Sequence, residues 1–169
     1  PGPNFLGGMS ADGRYIVFTS YASNLVPGDT NGASDVFVKD MQSGFISRVS
    51  TNSNGSQANG NSTGTGLSAN GRYVVFDSSA SNLVAGDSNQ ARDVFVKDLA
   101  TGITILISES LDGRTGDRNS SNGSLSLDGS VVTFTSDATN LALGNLTDGI
   151  QQILVAHNPT IDPGGNDTV

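Results

Sequence analysis

The 169-residue chain contains no cysteine, a single histidine, and a single glutamate, Glu109, among its sixteen acidic residues. Without cysteine there is no disulfide framework, no thiolate nucleophile and no thiolate zinc site. A nucleophilic triad needs a histidine oriented by an acid. His157 stands beside Pro159 in what reads as an unstructured tail, and no Gly-x-Ser-x-Gly elbow occurs. Basic residues are also scarce, eight against sixteen acids, for a formal charge of −8. Nucleic-acid phosphates and anionic lipids are held by clustered Lys and Arg, so this balance argues against both and favours cations. No apolar run reaches the length of a membrane span, and no charged-then-apolar start reads as a signal peptide. An opening Pro1-Gly2-Pro3 without Met reads as a mature or excised form. Helical periodicity is absent as well, and 22 glycines with many Asn, Ser and Thr separate short apolar runs.

What the chain does have is a threefold repetition. Ser10-Ala11-Asp12-Gly13-Arg14-Tyr15-Ile16-Val17-Phe18 returns as Ser68-Ala69-Asn70-Gly71-Arg72-Tyr73-Val74-Val75-Phe76, and more loosely as Ser126-Leu127-Asp128-Gly129-Ser130-Val131-Val132-Thr133-Phe134. The offset is 58 residues both times. A fixed period of this kind means stacked supersecondary units, none of which can bury its apolar face alone.

Each unit follows one grammar. A small-residue stretch (Gly7 to Met9, Thr65 to Leu67, Gly123 to Leu125) runs into a Ser-x-Asp/Asn-Gly turn. The spacing predicts strands at Tyr15 to Ser20, Tyr73 to Ser78 and Val131 to Ser136, then a long polar loop. Further strands follow at Asp35 to Asp40 and Asp93 to Asp98, and after a Gly turn at Phe45 to Ser50 and Ile103 to Ser108. The expected fold is all-β, built of propeller-type blades that are four-stranded antiparallel meanders. The repeats run at about 9–66, 67–124 and 125–157 in one domain, with 158–169 a tail or linker. The last blade lacks its outer strand, because the corresponding stretch Thr160 to Gly165 carries Pro and two Gly.

The motif Ser-x-Asp-Gly-Arg-Tyr-Ile-Val-Phe-Thr-Ser, followed by Asp-Val-Phe-Val-x-Asp and a Gly turn, resembles the WD40-like β-propeller repeat of TolB-type proteins, also called PD40, over residues 7 to 157. The resemblance implies blade architecture. It says little of activity, since such propellers serve as binding platforms, periplasmic scaffolds and lids on peptidases. The loop between second and third strands is longer than in compact blades of that type, and three units are fewer than the four to eight of a closed propeller.

That loop holds the strongest chemical signal. Asp29-Thr30-Asn31 with Asp35, and Asp87-Ser88-Asn89 with Asp93, spell Asp-x-Asn-x-x-x-Asp twice. Two readings stand: alternating oxygen ligands for Ca²⁺, with Asp29, Asn31, Asp35, Asp87, Asn89 and Asp93 completed by backbone carbonyls, or Asx turns and strand-start caps. The third copy, Asn145 to Gln151, keeps only Asp148 and loses the site. Ala22-Ser23-Asn24-Leu25 recurs at Ala80 and Ala138 and reads as architecture, Asn capping turn amides and Leu plugging the space below. Asn52 to Asn61 and Asn119 to Asn122 read as turns between blades. Asn-x-Ser/Thr acceptor patterns, as at Asn54 and Asn145, arise easily by chance in so Asn-rich a chain. Asp77 and Asp137, the conceivable glycosidase carboxylates, read as surface residues.

The expected core is Tyr15, Val17, Val36, Val38, Tyr73, Val75, Val94, Val96, Val132 and Phe134, or the alternate face with Phe18, Phe37, Phe76 and Phe95. Taken together, these features imply a non-enzymatic, secreted or cell-surface bacterial module, with the periplasm also open. It would self-associate into a dimer or filament through open blade faces and strand edges, with Ca²⁺ stiffening the loops. The alternative is a fragment of a larger TolB-like propeller that acts as a ligand- or protein-binding platform.

Overall fold

The computed structural model describes residues 5–141 and 151–161. Eleven antiparallel strands form three sheets, and no helix occurs among the described residues. Blade 1 is β1 (Phe5–Met9), β2 (Tyr15–Ser20), β3 (Asp35–Asp40) and β4 (Ile46–Arg48), in that order across the sheet. Blade 2 repeats it with β5 (Ser62–Leu67), β6 (Tyr73–Ser78), β7 (Asp93–Asp98) and β8 (Thr104–Leu106). Blade 3 has β9 (Ser120–Leu125), β10 (Val131–Ser136) and β11 (Gln152–His157). The register repeats with the sequence: Phe18 pairs Phe37 and Phe76 pairs Phe95.

Several boundaries differ from the sequence reading, each for a visible reason. The fourth strands are short because the amides of Val49 and Ser50 both turn to one carbonyl, Val36 O, and those of Ile107 and Ser108 to Val94 O, ending the ladder. The first strands start earlier than their small residues indicated, at Ser62 and Ser120. Asn119 to Asn122 is therefore not simply a turn. Asn122 lies inside β9 with φ of 58°, at the point where its register with β10 slips. His157 is no tail residue; it closes β11 opposite Val131. Asn158 is fully buried, its amide on Ser130 O at 2.8 Å and its Nδ2 on Gly129 O at 2.9 Å, so the ordered chain continues past 157. Most of the stretch Thr160 to Gly165, where blade 3 is expected to lack its outer strand, and the third loop at Asn145 to Ile150, lie outside the described residues.

Both candidate core faces are used, one at each junction. Val17, Val36 and Val38 of blade 1 pack on Val74, Phe76 and Phe95 of blade 2. The opposite face of blade 2, with Tyr73, Val75, Val94 and Val96, packs on Val132, Phe134 and Leu154 of blade 3. Strand β6 is therefore buried along its whole length. Polar bonds stitch the same junctions. Ala11 N donates to Ala69 O and Ala69 N to Leu127 O, both at 2.8 Å. Ser62 N reaches Ser34 O, and Ser120 N reaches Arg92 O. The recurrent Asn-Leu pair clamps each loop to the preceding inter-blade turn. Asn82 accepts from Asn59 N at 3.0 Å and donates to Gln57 O at 2.9 Å, and Asn140 does the same with Asp117 N and Thr115 O. Leu83 and Leu141 are buried beneath.

Lys97 is a further clamp, with no carboxylate among its partners. Its Nζ donates to Thr51 O, Thr51 Oγ1 and Asn52 O across the junction and to Thr104 Oγ1 in its own blade, at 2.9–3.2 Å. Burial pushes its pKa down to about 8. Lys39 holds the same register in blade 1 and is half-buried, and its ammonium makes no hydrogen bond to a described residue. Replacing Lys97 by Met is expected to cost about 1–2 kcal/mol in urea unfolding, and Lys39→Met less than about 0.5 kcal/mol. Equal losses would show that Lys97 acts through its own strand rather than through the junction.

Candidate functional site

The long loop returns to the sheet at Asp35 in blade 1 and at Asp93 in blade 2, and both carboxylates are fully buried at the strand start. Ser50 Oγ donates to Asp35 Oδ1 at 2.6 Å and accepts Val36 N at 3.1 Å. Asn31 Nδ2 donates to Asp35 Oδ2 at 3.0 Å and to Ala58 O at 2.9 Å, while its Oδ1 accepts Ala33 N. Repeat 2 reproduces this with Ser108, Asn89, Asp93, Gly116 and Ala91 at nearly the same distances. The amide orientation follows from these partners, because turning it would set an oxygen against two acceptors. In both repeats the structure thus brings Asn31 with Asp35, and Asn89 with Asp93, into a hydrogen-bonded Asx turn that ties loop, third strand and next inter-blade turn together. Among the described residues no group of three or more His, Cys, Asp or Glu side chains is arranged to hold a metal ion.

The first position of the motif differs between repeats. In repeat 1, Arg48 from the end of β4 lies under the loop, with Nη2 3.6 Å from Asp29 Oδ2 and Nε 3.8 Å from Asp35 Oδ2. Its Nη1 donates to Gln57 Oε1. Repeat 2 has Leu106 there, and among the described residues no cation pairs with Asp87 or Asp93 in exchange. Burial raises Asp35 against the pull of Ser50, Asn31 and Arg48. Asp93 is raised by burial against Ser108 and Asn89 alone. Asp87 is pushed up to about 6 by its burial and by Asp93 beside it.

Sequence reasoning missed Arg48, Ser50 and Ser108, although the two serines stand one period apart. It also misplaced Asp77, which is buried rather than exposed. That carboxylate accepts Asn122 N at 2.9 Å and Gly123 N at 3.4 Å from the first strand of the next blade, and burial raises its pKa. Thr19, its counterpart, accepts Gly64 N at 2.9 Å, so the two do share a role. Asp137 is half-buried beside Gln90 and Arg118.

No family model matches the sequence, and no curated protein sequence matches it. Among solved structures, the chain is similar to that of a putative TolB from Agrobacterium tumefaciens, with a TM-score of 0.59 over 99% of this chain. The blades are TolB-like in fold. Identity is 17%, and the chain spans 49% of that protein's length. The likeness is one of architecture, and the TolB-like blades carry this chain's own loop chemistry.

Because Asp87 binds its proton more tightly folded than unfolded, its ionisation opposes folding as pH rises from its ordinary 3.8 through about 6. Asp87→Asn is therefore expected to raise Tm at pH 7.5 by about 2–4 °C. The advantage should shrink below pH 6 and be gone near pH 4. A gain independent of pH would assign the effect to packing.

Proposed function

We propose that this chain is a non-catalytic interaction module of the bacterial envelope or exterior, a set of propeller blades whose open face is completed by further blades of the same repeat. Those blades come from a second copy or from a longer chain. The observation that carries this reading is the outer face of blade 1, which bears the apolar and polar groups that blade 2 uses to hold blade 1. Phe18 and Phe37 stack beneath it with centroids 5.7 Å apart, Phe18 half-buried and Phe37 fully buried, as Phe76 and Phe95 stack inside the junction at 5.6 Å. Leu25 and Ala22 are half-buried, where Leu83 and Ala80 are each 2% exposed. Asn24 is exposed, and Lys39 lacks the turn carbonyls that Lys97 grips. These are the features of a blade face prepared for a neighbour.

Catalysis finds less support. Asp77 is committed to two backbone amides, and His157 sits within a strand pair. Among the described residues, no helix is long and apolar enough to cross a membrane. An outward-facing binding role agrees with the acidic, cysteine-free composition.

Light scattering across a concentration series tests the reading. Particle mass is expected to rise above 17.2 kDa with concentration, and Leu25→Glu to weaken association by about tenfold through a charge placed in an apolar contact. A monomer at every concentration, with Leu25→Glu unaltered in behaviour, would overturn self-completion and leave the longer chain as the source of further blades. Calcium is a separate question, because the loops are already closed by amide and hydroxyl donors. The melting temperature is expected to be the same in millimolar calcium and in chelator, and a drop in chelator would assign the loop carboxylates to calcium.

A further inference from the structure

In repeat 1 the space beneath the long loop is filled from within, by the Arg48 guanidinium against Asp29 and Asp35 and by Gln57, whose Nε2 donates to Thr30 Oγ1 at 2.9 Å. One period on, the chain has Leu106 in place of Arg48 and Thr115 in place of Gln57, both shorter and neither charged. The loop acids are retained. A cleft of 790 Å³ lies there between blades 2 and 3, walled by Gly86, Ser88 and Asn89 on the loop side and by Leu106, Glu109 and Thr115 opposite. Asp87 and Asp93 belong to this loop but are more than nine-tenths buried behind the cleft wall and do not line it. Glu109 is half-buried, and burial raises its carboxyl. Of the charged groups at the rim, Arg114 is 78% exposed and paired with Asp112, and Asp117 is engaged by Thr139.

We infer that this cleft binds a guanidinium group from outside, against Glu109 and beneath the loop whose repeat 1 counterpart covers the Arg48 guanidinium. Repeat 1 shows the chemistry the loop accepts, a planar cation lying between the first and last carboxylates of the motif. Leu106 gives repeat 2 an apolar floor, which suits the weakly hydrated face of a guanidinium better than a compact, strongly hydrated ammonium. The volume falls within the roughly 300–1,000 Å³ of organic-ligand pockets and is far larger than a bare ion requires. Because the cleft lies inside the junction of blades 2 and 3, the inference is independent of what covers the outer blade faces.

Titration of the ¹⁵N-labelled chain with methylguanidinium, methylammonium and the tripeptide Gly-Arg-Gly tests it. Amides of residues 86–89 and 113–117 are expected to shift saturably with the guanidinium probes, and methylammonium to bind about tenfold more weakly. Saturation by the tripeptide alone supports an arginine side chain of a partner, and by methylguanidinium alone a small free cation. Leu106→Arg combined with Thr115→Gln rebuilds the repeat 1 filling and is expected to abolish binding. Should that variant fail to fold, Glu109→Gln, which leaves the cleft open, is expected to weaken binding about tenfold through loss of a charge-assisted contact. Absence of saturable shifts with both guanidinium probes overturns the assignment, as does undiminished binding in Glu109→Gln or in a folded filled variant.

Discussion

Everything in this molecule depends on how closely one blade's first strand approaches the valines of the blade before it. A Cβ added at Gly64 would stand 2.9 Å from both Val17 Cγ1 and Val36 Cγ1, and one at Gly123 would stand 2.5 Å from Val75 Cγ2 and 2.9 Å from Val94 Cγ1. Side chains cannot be accommodated at that distance without shifting the blade. The same approach sets the reach of every other contact. It lets Ala69 meet Leu127 backbone to backbone, brings Asn82 and Lys97 onto the preceding turn, and lays the Tyr15 ring against Gly71 and the Tyr73 ring against Gly129. Blade packing comes first, and the loops are held in place by it.

Against that common frame the two complete repeats have diverged in charge. Position 48 supplies a guanidinium to two loop acids, and position 106 a leucine that leaves the equivalent acids to hydrogen bonds from neutral groups. The junctions diverge too, since Lys97 clamps the first, whereas the equivalent residue at the second is Val155. Where an exposed arginine covers a more buried aspartate, the first two copies keep the pairing. Arg14 with Asp40 and Arg72 with Asp98 recur, each arginine 4.9 Å above its neighbouring tyrosine, and the third repeat replaces both charges together, with Ser130 and Ala156. A pair kept or lost as a unit is stabilised by its partner rather than by the sheet.

The architecture was largely legible in the residues, because period-two alternation and Ser-x-Asp-Gly turns are local signals. The five strands that start at Tyr15, Asp35, Tyr73, Asp93 and Val131, and their ends, follow from them directly. The first strands were harder, since a run such as Ser-Thr-Gly-Thr-Gly-Leu has glycines for close approach where a strand normally has β-branched residues. The loop acids were found, but whether Asn31 and Asn89 present oxygen or nitrogen to them depends on Ala58 O and Gly116 O, carbonyls 27 residues away. Asp77 looked like a surface carboxylate because its partners, two amides of β9, carry no side-chain signature. Arg48 was invisible for a different reason. Its importance lies in a difference between copies, Arg48 against Leu106, and a repeat shows itself only by what its copies share.

The turn-to-turn bonds from Ala11 to Ala69 to Leu127 all point the same way, each blade giving its N–H to the next. The stack therefore has a head and a tail, as a row of identical vectors does. Two such stacks cannot use this stitch face to face, because donor would meet donor. They can join only in series, so that a pair closes as a two-membered ring in which each copy gives its tail to the other's head, and an imperfect rotation yields an open helix instead. The sense of a single backbone hydrogen bond thus limits the symmetry of any assembly built through it.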